Sequence, residues 1–186
     1  MHNRLAVIAL ALTLLLPVTV RAQNAPSATE LRLGLVGHWS GSLGYRDYQS
    51  DVLFEIPVTT VISTPGDGAT LIQQSLFDDG PTKPVWITTV SLDDTTAGAS
   101  TSASFRVGNA PELSTETVRV AAFADPTHWT LVYSETGRDD DAPADIRVTD
   151  TRDGDGLLSV KEVRPVGAVE EAWRFRSQTR LTRIDD

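Results

Sequence analysis

Residues 51–63 read DVLFEIPVTTVIS, and their apolar and polar side chains alternate along the chain. From Val52 to Val58 every even position is apolar, whereas Glu55 and Thr59 occupy odd positions. Successive side chains of a β-strand point to opposite faces of its sheet, so a period of two predicts a strand with one face turned to the core. The stretch therefore indicates a β-strand rather than a helix.

The same two-residue period returns along most of the chain, and Gly, Pro, Asp or Asn separates one run from the next. Short connections make neighbouring strands antiparallel. Many strands in a chain of this size must hide their edges, which a closed barrel does completely and a two-layer sandwich does only in part. We predict an all-β protein, an antiparallel up-and-down β-barrel of about ten strands. The predicted strands are residues 39–48, 51–63, 69–77, 85–92, 101–107, 117–123, 128–135, 144–149, 157–163 and 171–184.

Residues 1–22 have the pattern of a secretory signal peptide. Arg4 precedes an uncharged apolar run that ends before Pro17, and Ala22 stands at a suitable cleavage position. The apolar run is too short to span a bilayer comfortably. We therefore expect an exported protein, periplasmic or secreted, with no stable membrane span after signal cleavage.

Residues 23–36 predict a short N-terminal segment with a helical turn. Ser27 and Glu30 have the spacing of a capping box, which marks the start of a helix. We expect this turn to act as a helical plug for the barrel. The barrel domain itself is expected over residues 37–186.

Charge and cysteine content limit the kinds of function. The 186 residues carry a formal net charge of -9, which argues against a nucleic-acid backbone as partner. The chain has no Cys, so it has no disulfide, thiolate metal site or catalytic thiol. No Gly-rich phosphate loop or Ser-His-Asp order occurs in the sequence, and we expect no cofactor.

The start of the first strand and the end of the last one resemble a known pattern. Residues 37–39 form a Gly-x-Trp sequence, and the last predicted strand carries Arg180 and Arg183. This arrangement resembles the calycin superfamily, which includes lipocalins and fatty-acid-binding proteins. The resemblance implies that Trp39 plugs one end of the barrel and that Arg180 or Arg183 stacks on its indole. The sequence departs from lipocalins because no helix follows its last strand.

A barrel of about ten strands has room inside for a small ligand or a filled core. We expect the chain to bind a small, largely apolar, hydrophobic molecule inside the barrel, without catalysis. Tyr45 and Asp47 share the parity of Trp39, and Tyr133 shares that of Glu135, so both pairs are expected to face one cavity. The candidate ligand-binding residues are Tyr45, Asp47, Phe54, Trp86, Tyr133, Glu135, Arg147 and Trp173.

Two other functions stay open. A barrel filled by its own side chains would act as an envelope or interaction module. Alternatively, Asp47 and Glu135 would be the paired carboxylates of a hydrolase, the arrangement that glycoside hydrolysis uses. Asp47 is also accounted for by an internal partner, most simply Arg147, because a buried carboxylate must be paired.

Two metal hypotheses rest on short motifs. Asp153, Asp155 and Glu162 fall on calcium-ligand positions of an EF-hand loop. The same Asp-Gly-Asp-Gly run is strong hairpin-turn chemistry, and a turn is the structure that we expect there. His38 and His128 are candidate haem ligands, although both are expected to be exposed or to end a strand.

Overall fold

The structure is a computed structural model, and it describes residues 26–46, 52–80 and 84–184. Strands account for most of this part of the chain, together with one short α-helix and one 3₁₀ turn at Glu170–Ala172. The elements are α1 (Ala28–Leu33), β1 (Gly37–Arg46), β2 (Leu53–Ser63), β3 (Thr70–Asp78), β4 (Pro84–Asp94), β5 (Ala99–Arg106), β6 (Glu112–Asp125), β7 (His128–Asp139), β8 (Ala142–Asp153), β9 (Gly156–Pro165) and β10 (Arg174–Ile184).

The ten strands form one closed antiparallel barrel. Each strand pairs with the next along the chain, and β10 pairs with β1 to close the sheet. Trp39 lies opposite Arg183 in this closing pair, and Gly41 lies opposite Leu181. The predicted all-β, up-and-down barrel with a short N-terminal helix is therefore confirmed.

The helix α1 packs against one end of the barrel, which we call the helix end. Ser27 and Glu30 form the capping box that their spacing predicts, so the helix begins where the sequence indicates. Leu31 and Leu35 are buried in one apolar cluster with Trp39 and Leu181. Apolar side chains thus fill the helix end, because Leu31 of α1 and Leu35 just after it are both buried against the barrel.

The barrel wall is incompletely paired between β6 and β7. Their ladder runs from Asp125 opposite His128 to Thr117 opposite Ser134. Beyond that point residues 112–116 of β6 pair with β5, whereas residues 135–139 of β7 pair with β8. We call this stretch the β6–β7 seam.

No helix within the described residues has the length and apolar character needed to cross a membrane. The predicted signal peptide, residues 1–22, lies outside the described residues.

Candidate functional site

A cavity of about 240 Å³ lies inside the barrel beside α1. Its apolar lining residues are Leu35, Ile62, Leu71, Val148, Leu157 and Leu181. A larger number of lining residues are polar or charged, namely Arg32, Gln73, Thr89, Ser91, Ser100, Ser102, Glu116, Tyr133, Asp150, Ser159 and Thr179. This differs from the largely apolar lining that we expected, because many inward positions of the strands carry hydroxyl, amide or carboxyl side chains.

Arg32 projects from α1 into the cavity and is held there by β4 and β5. Its Nη1 forms an ion pair with Asp93 and donates to Ser100 Oγ at 3.1 Å, and its Nη2 donates to Ser91 Oγ at 2.6 Å. Its guanidinium carbon lies 5.8 Å from the ring centroid of Tyr133. Asp93 is almost completely buried, so the charge of Arg32 is largely compensated within the wall.

Three carboxylates, Glu116, Glu135 and Asp150, lie on the cavity and the seam, and we call them the acidic group. Burial, followed by the charges of Glu135 and Asp150, raises the pKa of Glu116 to about 7. Burial also raises the pKa of Asp150, opposed by a hydrogen bond from Ser159 and by the charge of Arg32. Repulsion within the group and removal from water thus both favour protonation.

One oxygen of the Asp150 carboxyl is left without a hydrogen bond within the described part of the chain. Its Oδ1 atom is buried and accepts no hydrogen bond from any described residue. Glu135, by contrast, accepts a hydrogen bond from Ser114 at 2.6 Å across the β6–β7 seam. A buried carboxylate oxygen without a donor costs free energy, so Asp150 marks a place where the fold leaves an interaction unmade.

Glu116 belongs both to the interior cavity and to a groove on the outside of the barrel. The groove lies along the β6–β7 seam, and Glu135, Arg164 and Trp173 also line it. Since backbone pairing is missing along the seam, the side chains of Glu116 and Glu135 stand between the cavity and the outer surface.

The candidate ligand-binding residues fall in different places. Tyr133 lines the cavity, and Glu135 lines the seam groove. Tyr45 and Phe54 contact each other, with ring centroids 5.3 Å apart, but both are exposed and lie away from the cavity. Asp47 lies outside the described residues.

Trp86 faces the outside of the barrel, so its expected place on the interior lining is corrected. Its side chain is 56% exposed and lies near Phe105 and Val107 on the outer surface. The cause is strand alternation, because Thr89 and Ser91 of the same strand line the cavity and Trp86 has the opposite parity to both.

Arg147 and Trp173 are brought together, but on the outer face of the barrel. Arg147 lies 4.3 Å from the Trp173 ring centroid, and Arg164 lies 4.6 Å from it. Arg147 also pairs with Glu162 and Glu170, each at 2.9 Å. The interior role expected for Arg147 and Trp173 is therefore corrected.

Trp39 is buried at the helix end, and its Nε1 donates to the Leu35 carbonyl oxygen at 2.8 Å. Of the two arginines that the resemblance offers, Arg183 is the one that stacks, with its guanidinium 4.6 Å from the indole centroid. Arg180 is exposed on the other side of β10, because its parity is opposite to that of Leu181 and Arg183.

The calcium motif forms the hairpin turn between β8 and β9. Asp153 pairs with Gly156, and Gly154 has a φ of 61°, which glycine adopts without strain. Glu162 is instead committed to Arg147, at 2.9 Å. No cluster of acidic and histidine side chains within residues 26–46, 52–80 and 84–184 is arranged to hold a metal ion.

The two candidate haem ligands lie outside the cavity. His38 is exposed on β1, and His128 is 48% exposed at the start of β7. The hydrogen bond that His128 Nδ1 donates to the Asp125 carboxylate raises the pKa of His128, and Asp153 lies 3.3 Å from its Nε2 atom. Both side chains therefore belong to the barrel surface.

The sequence reasoning missed Arg32, Asp93, Glu116 and Asp150. A signal existed for two of them. Glu116 has the parity of Val118 in β6, and Asp150 that of Val148 in β8, so longer predicted strands would have turned both inward. The position of Arg32 depends on how α1 docks, which no local pattern gives.

No protein-family model matches the chain, and no curated protein matches it either. Among solved structures, the chain is similar to Rv2717c from M. tuberculosis, with 18% identity, a TM-score of 0.57, and coverage of 86% of this chain and 100% of that one. A protein of unknown function from the DUF3598 family of Nostoc punctiforme has 8% identity over the same shares of the two chains, and its TM-score of 0.26 carries no argument. The likeness to Rv2717c shows a shared fold and says nothing of the activity.

Proposed function

We propose that this chain binds, inside the barrel and without covalent chemistry, a small molecule that carries polar or charged groups. One observation carries the proposal. A cavity of about 240 Å³ is lined by ionisable side chains, Glu116 and Asp150, whose charges the wall does not fully compensate. Such groups lower the stability of a structural core and are typical of a binding site.

The size of the cavity limits the ligand. Cavities that hold drug-sized ligands measure about 300–1,000 Å³. At about 240 Å³ this cavity suits a smaller molecule. Its polar lining also replaces the largely apolar ligand expected from the resemblance by one that forms hydrogen bonds or ion pairs.

A filled barrel acting as an interaction module is the weaker reading, because the interior holds this cavity. The hydrolase alternative depends on Asp47, which lies outside the described residues. Glu135, its other member, is engaged by Ser114 at 2.6 Å. Binding therefore has more support than either alternative.

We also infer that the chain is an exported, calycin-like barrel. Export is supported by the signal pattern of residues 1–22. The calycin resemblance is supported by the stacking of Arg183 on the buried Trp39, beside the Gly-x-Trp sequence that opens β1.

The test is to fill the cavity with a side chain. Ser102 lines the cavity, so Ser102→Phe places a ring inside it, while Thr101→Phe places the same ring on the exposed face of β5. Native mass spectrometry of protein purified from its own host should show one bound mass on the wild type and on Thr101→Phe. Ser102→Phe should have lost that mass while keeping the circular dichroism spectrum of a folded barrel.

Two outcomes would overturn the proposal. In the first, the wild type carries no bound molecule and gains no thermal stability from a panel of small polar metabolites. In the second, folded Ser102→Phe keeps the bound mass, which would locate the ligand outside the cavity.

A further inference from the structure

We infer that the molecule held by the cavity is a small organic cation, bound through an ammonium group by the carboxylates of Asp150 and Glu116. This inference rests on the proposed binding function and adds the chemical class of the ligand. It follows from the charges inside the barrel, from the unpaired oxygen of Asp150, and from the acidic seam groove.

The charges that face the cavity and the seam are unequal. Arg32 is committed to Asp93, Ser91 and Ser100, as its contacts at the helix end show. The acidic group then faces Lys161, which lies opposite Val148 in β9 and so shares the cavity side. Tyr133 adds no negative charge, because burial raises the pKa of its phenol well above its usual value. With Asp93 included, four carboxylates among the described residues thus face two cations, Arg32 and Lys161, and the excess charge is negative.

Asp150 supplies a negative charge that a cation in the cavity would compensate. The carboxyl lines the cavity, and its Oδ1 atom is buried without a donor from any described residue. A carboxylate in this position is stabilised by a proton or by an incoming cation. An anionic ligand would have to approach this carboxylate while the guanidinium of Arg32 is already paired.

The outer groove has the same chemical preference. Glu116, Glu135 and Asp145 line it, and its cation, Arg164, is paired with Asp145 at 3.2 Å and with Glu170 at 3.2 Å. The whole chain carries a net charge of -9, which also attracts cations towards the barrel. Glu116 lines both the groove and the cavity, so a cation that enters the groove meets a carboxylate of the internal site.

The experiment compares ligands that differ only in charge. Two triads serve as probes: phenethylamine, 2-phenylethanol and phenylacetate, and butylamine, 1-butanol and butyrate, each titrated into the full chain by calorimetry. We expect an amine to bind, and its alcohol and carboxylate counterparts to bind much more weakly or not at all. Amine binding should release protons, and its affinity should fall about tenfold from about pH 8 to about pH 6, because Glu116 titrates at about 7.

Variants assign the site. Asp150→Asn and Glu116→Gln remove one negative charge each with little change of shape, and each should weaken amine binding by about tenfold or more. Glu171→Gln removes the same charge from an exposed position in the 3₁₀ turn and should leave the affinity unchanged. Thermal melting of each variant shows that the barrel is folded.

The outcomes separate the two proposals. If an alcohol or a carboxylate binds as tightly as its amine, and Ser102→Phe abolishes that binding, the cation inference is wrong and the cavity function stands. The cation inference is also wrong if amine binding survives both Asp150→Asn and Glu116→Gln. If no member of either triad binds and no bound mass accompanies the native protein, both proposals fall.

Discussion

The helix end and the acidic cavity lie side by side in one barrel, yet they differ in how far their polar groups are satisfied by hydrogen bonds. At the helix end the indole of Trp39 donates to Leu35 at 2.8 Å. Arg183 and Arg152 both donate to the carbonyl oxygen of Gly34, each at 2.8 Å. The carbonyl oxygen of Gly34, the residue that caps α1, is thus satisfied by arginines from β8 and β10.

The cavity lacks this compensation. Asp150 Oδ1, of a residue that lines the cavity, is buried without a hydrogen-bond donor from the described residues, as is Asp93 Oδ2 in the wall beside Arg32. Burial and two neighbouring carboxylates hold the pKa of Glu116 near 7. Polar groups at the helix end are therefore stabilised by hydrogen bonds, whereas the buried carboxylates of the cavity lower the stability of the fold.

This difference separates residues that hold the barrel together from residues available for binding. Buried polar groups are nearly always satisfied in native structures, so each exception needs an explanation. Natural proteins commonly accept lower stability where a site must bind a ligand. Mutations at the helix end should therefore lower stability, and neutralising the cavity should raise it.

The largest effect is expected at the helix end. Trp39→Ala removes a side chain that is 1% exposed and should lower the free energy of unfolding by about 3–5 kcal/mol. Trp86→Ala removes the same side chain from the outer face, where it is 56% exposed, and should cost less than about 1 kcal/mol. Urea denaturation measures both, and equal losses would show that the helix end contributes no special stability.

The second largest effect is expected for Glu116→Gln, which should raise the free energy of unfolding by an amount that depends on pH. The pKa of Glu116 is about 7 in the folded barrel and about 4.5 in the unfolded chain, so the folded state holds its proton more tightly between these values. The stability that this proton contributes is complete below about pH 4.5 and is lost as the pH rises through 7. Glu116→Gln should therefore raise the free energy of unfolding by about 2 kcal/mol at pH 8, after allowance for the part exposure of the carboxyl.

At pH 4 the same substitution should change stability very little, because the wild-type carboxyl is then mostly protonated in both the folded and the unfolded chain. Glu171→Gln, at an exposed position, is the matched control and should have no such pH dependence. A Glu116→Gln variant that is less stable than the wild type at pH 8 would contradict the unfavourable charge that we assign to the cavity.

The fold could be predicted because strand alternation is local. The runs around residues 51–63 and at Trp39 identify β2 and β1, and the short connections between runs fix the antiparallel order. Closure followed from the need to hide sheet edges, which is a general constraint and does not depend on distant contacts.

The site could be predicted less completely than the fold, because the ends of a strand depend on partner strands that are far away in the sequence. The strand predicted over residues 117–123 began one position after Glu116. The strand predicted over residues 144–149 ended one position before Asp150. The observed β6 begins at Glu112 because it pairs with β5, and β8 continues to Asp153 because it pairs with β7 and β9. Tertiary pairing therefore turned Glu116 and Asp150 inward, where local propensity had ended the strands.

Arg147 and Trp173 show the converse error. A strand predicted from residue 171 would have carried Trp173 into the barrel wall, whereas Glu170–Ala172 form a 3₁₀ turn and β10 begins at Arg174. Arg147 lies between Ile146, which is buried, and Val148, which lines the cavity, so alternation alone assigns it to the outer face. Trp173 was predicted to lie in the core because it is aromatic, although Arg147 and Arg164 enclose its ring on the outer face of the barrel.

The smallest effect asks whether the helix end needs a guanidinium or only a positive charge. Arg183 lies 4.6 Å from the Trp39 indole and donates to the carbonyl oxygens of Val36 and Gly34, each at 2.8 Å. Lysine keeps the charge but cannot hold both carbonyls with one planar fork, so Arg183→Lys should cost about 1 kcal/mol. Arg180→Lys, on the exposed face of the same strand, should cost nothing measurable by urea denaturation. If the two substitutions have the same effect, charge alone suffices at the helix end, and the contrast with the cavity then rests on apolar packing around Trp39 rather than on satisfied carbonyl groups.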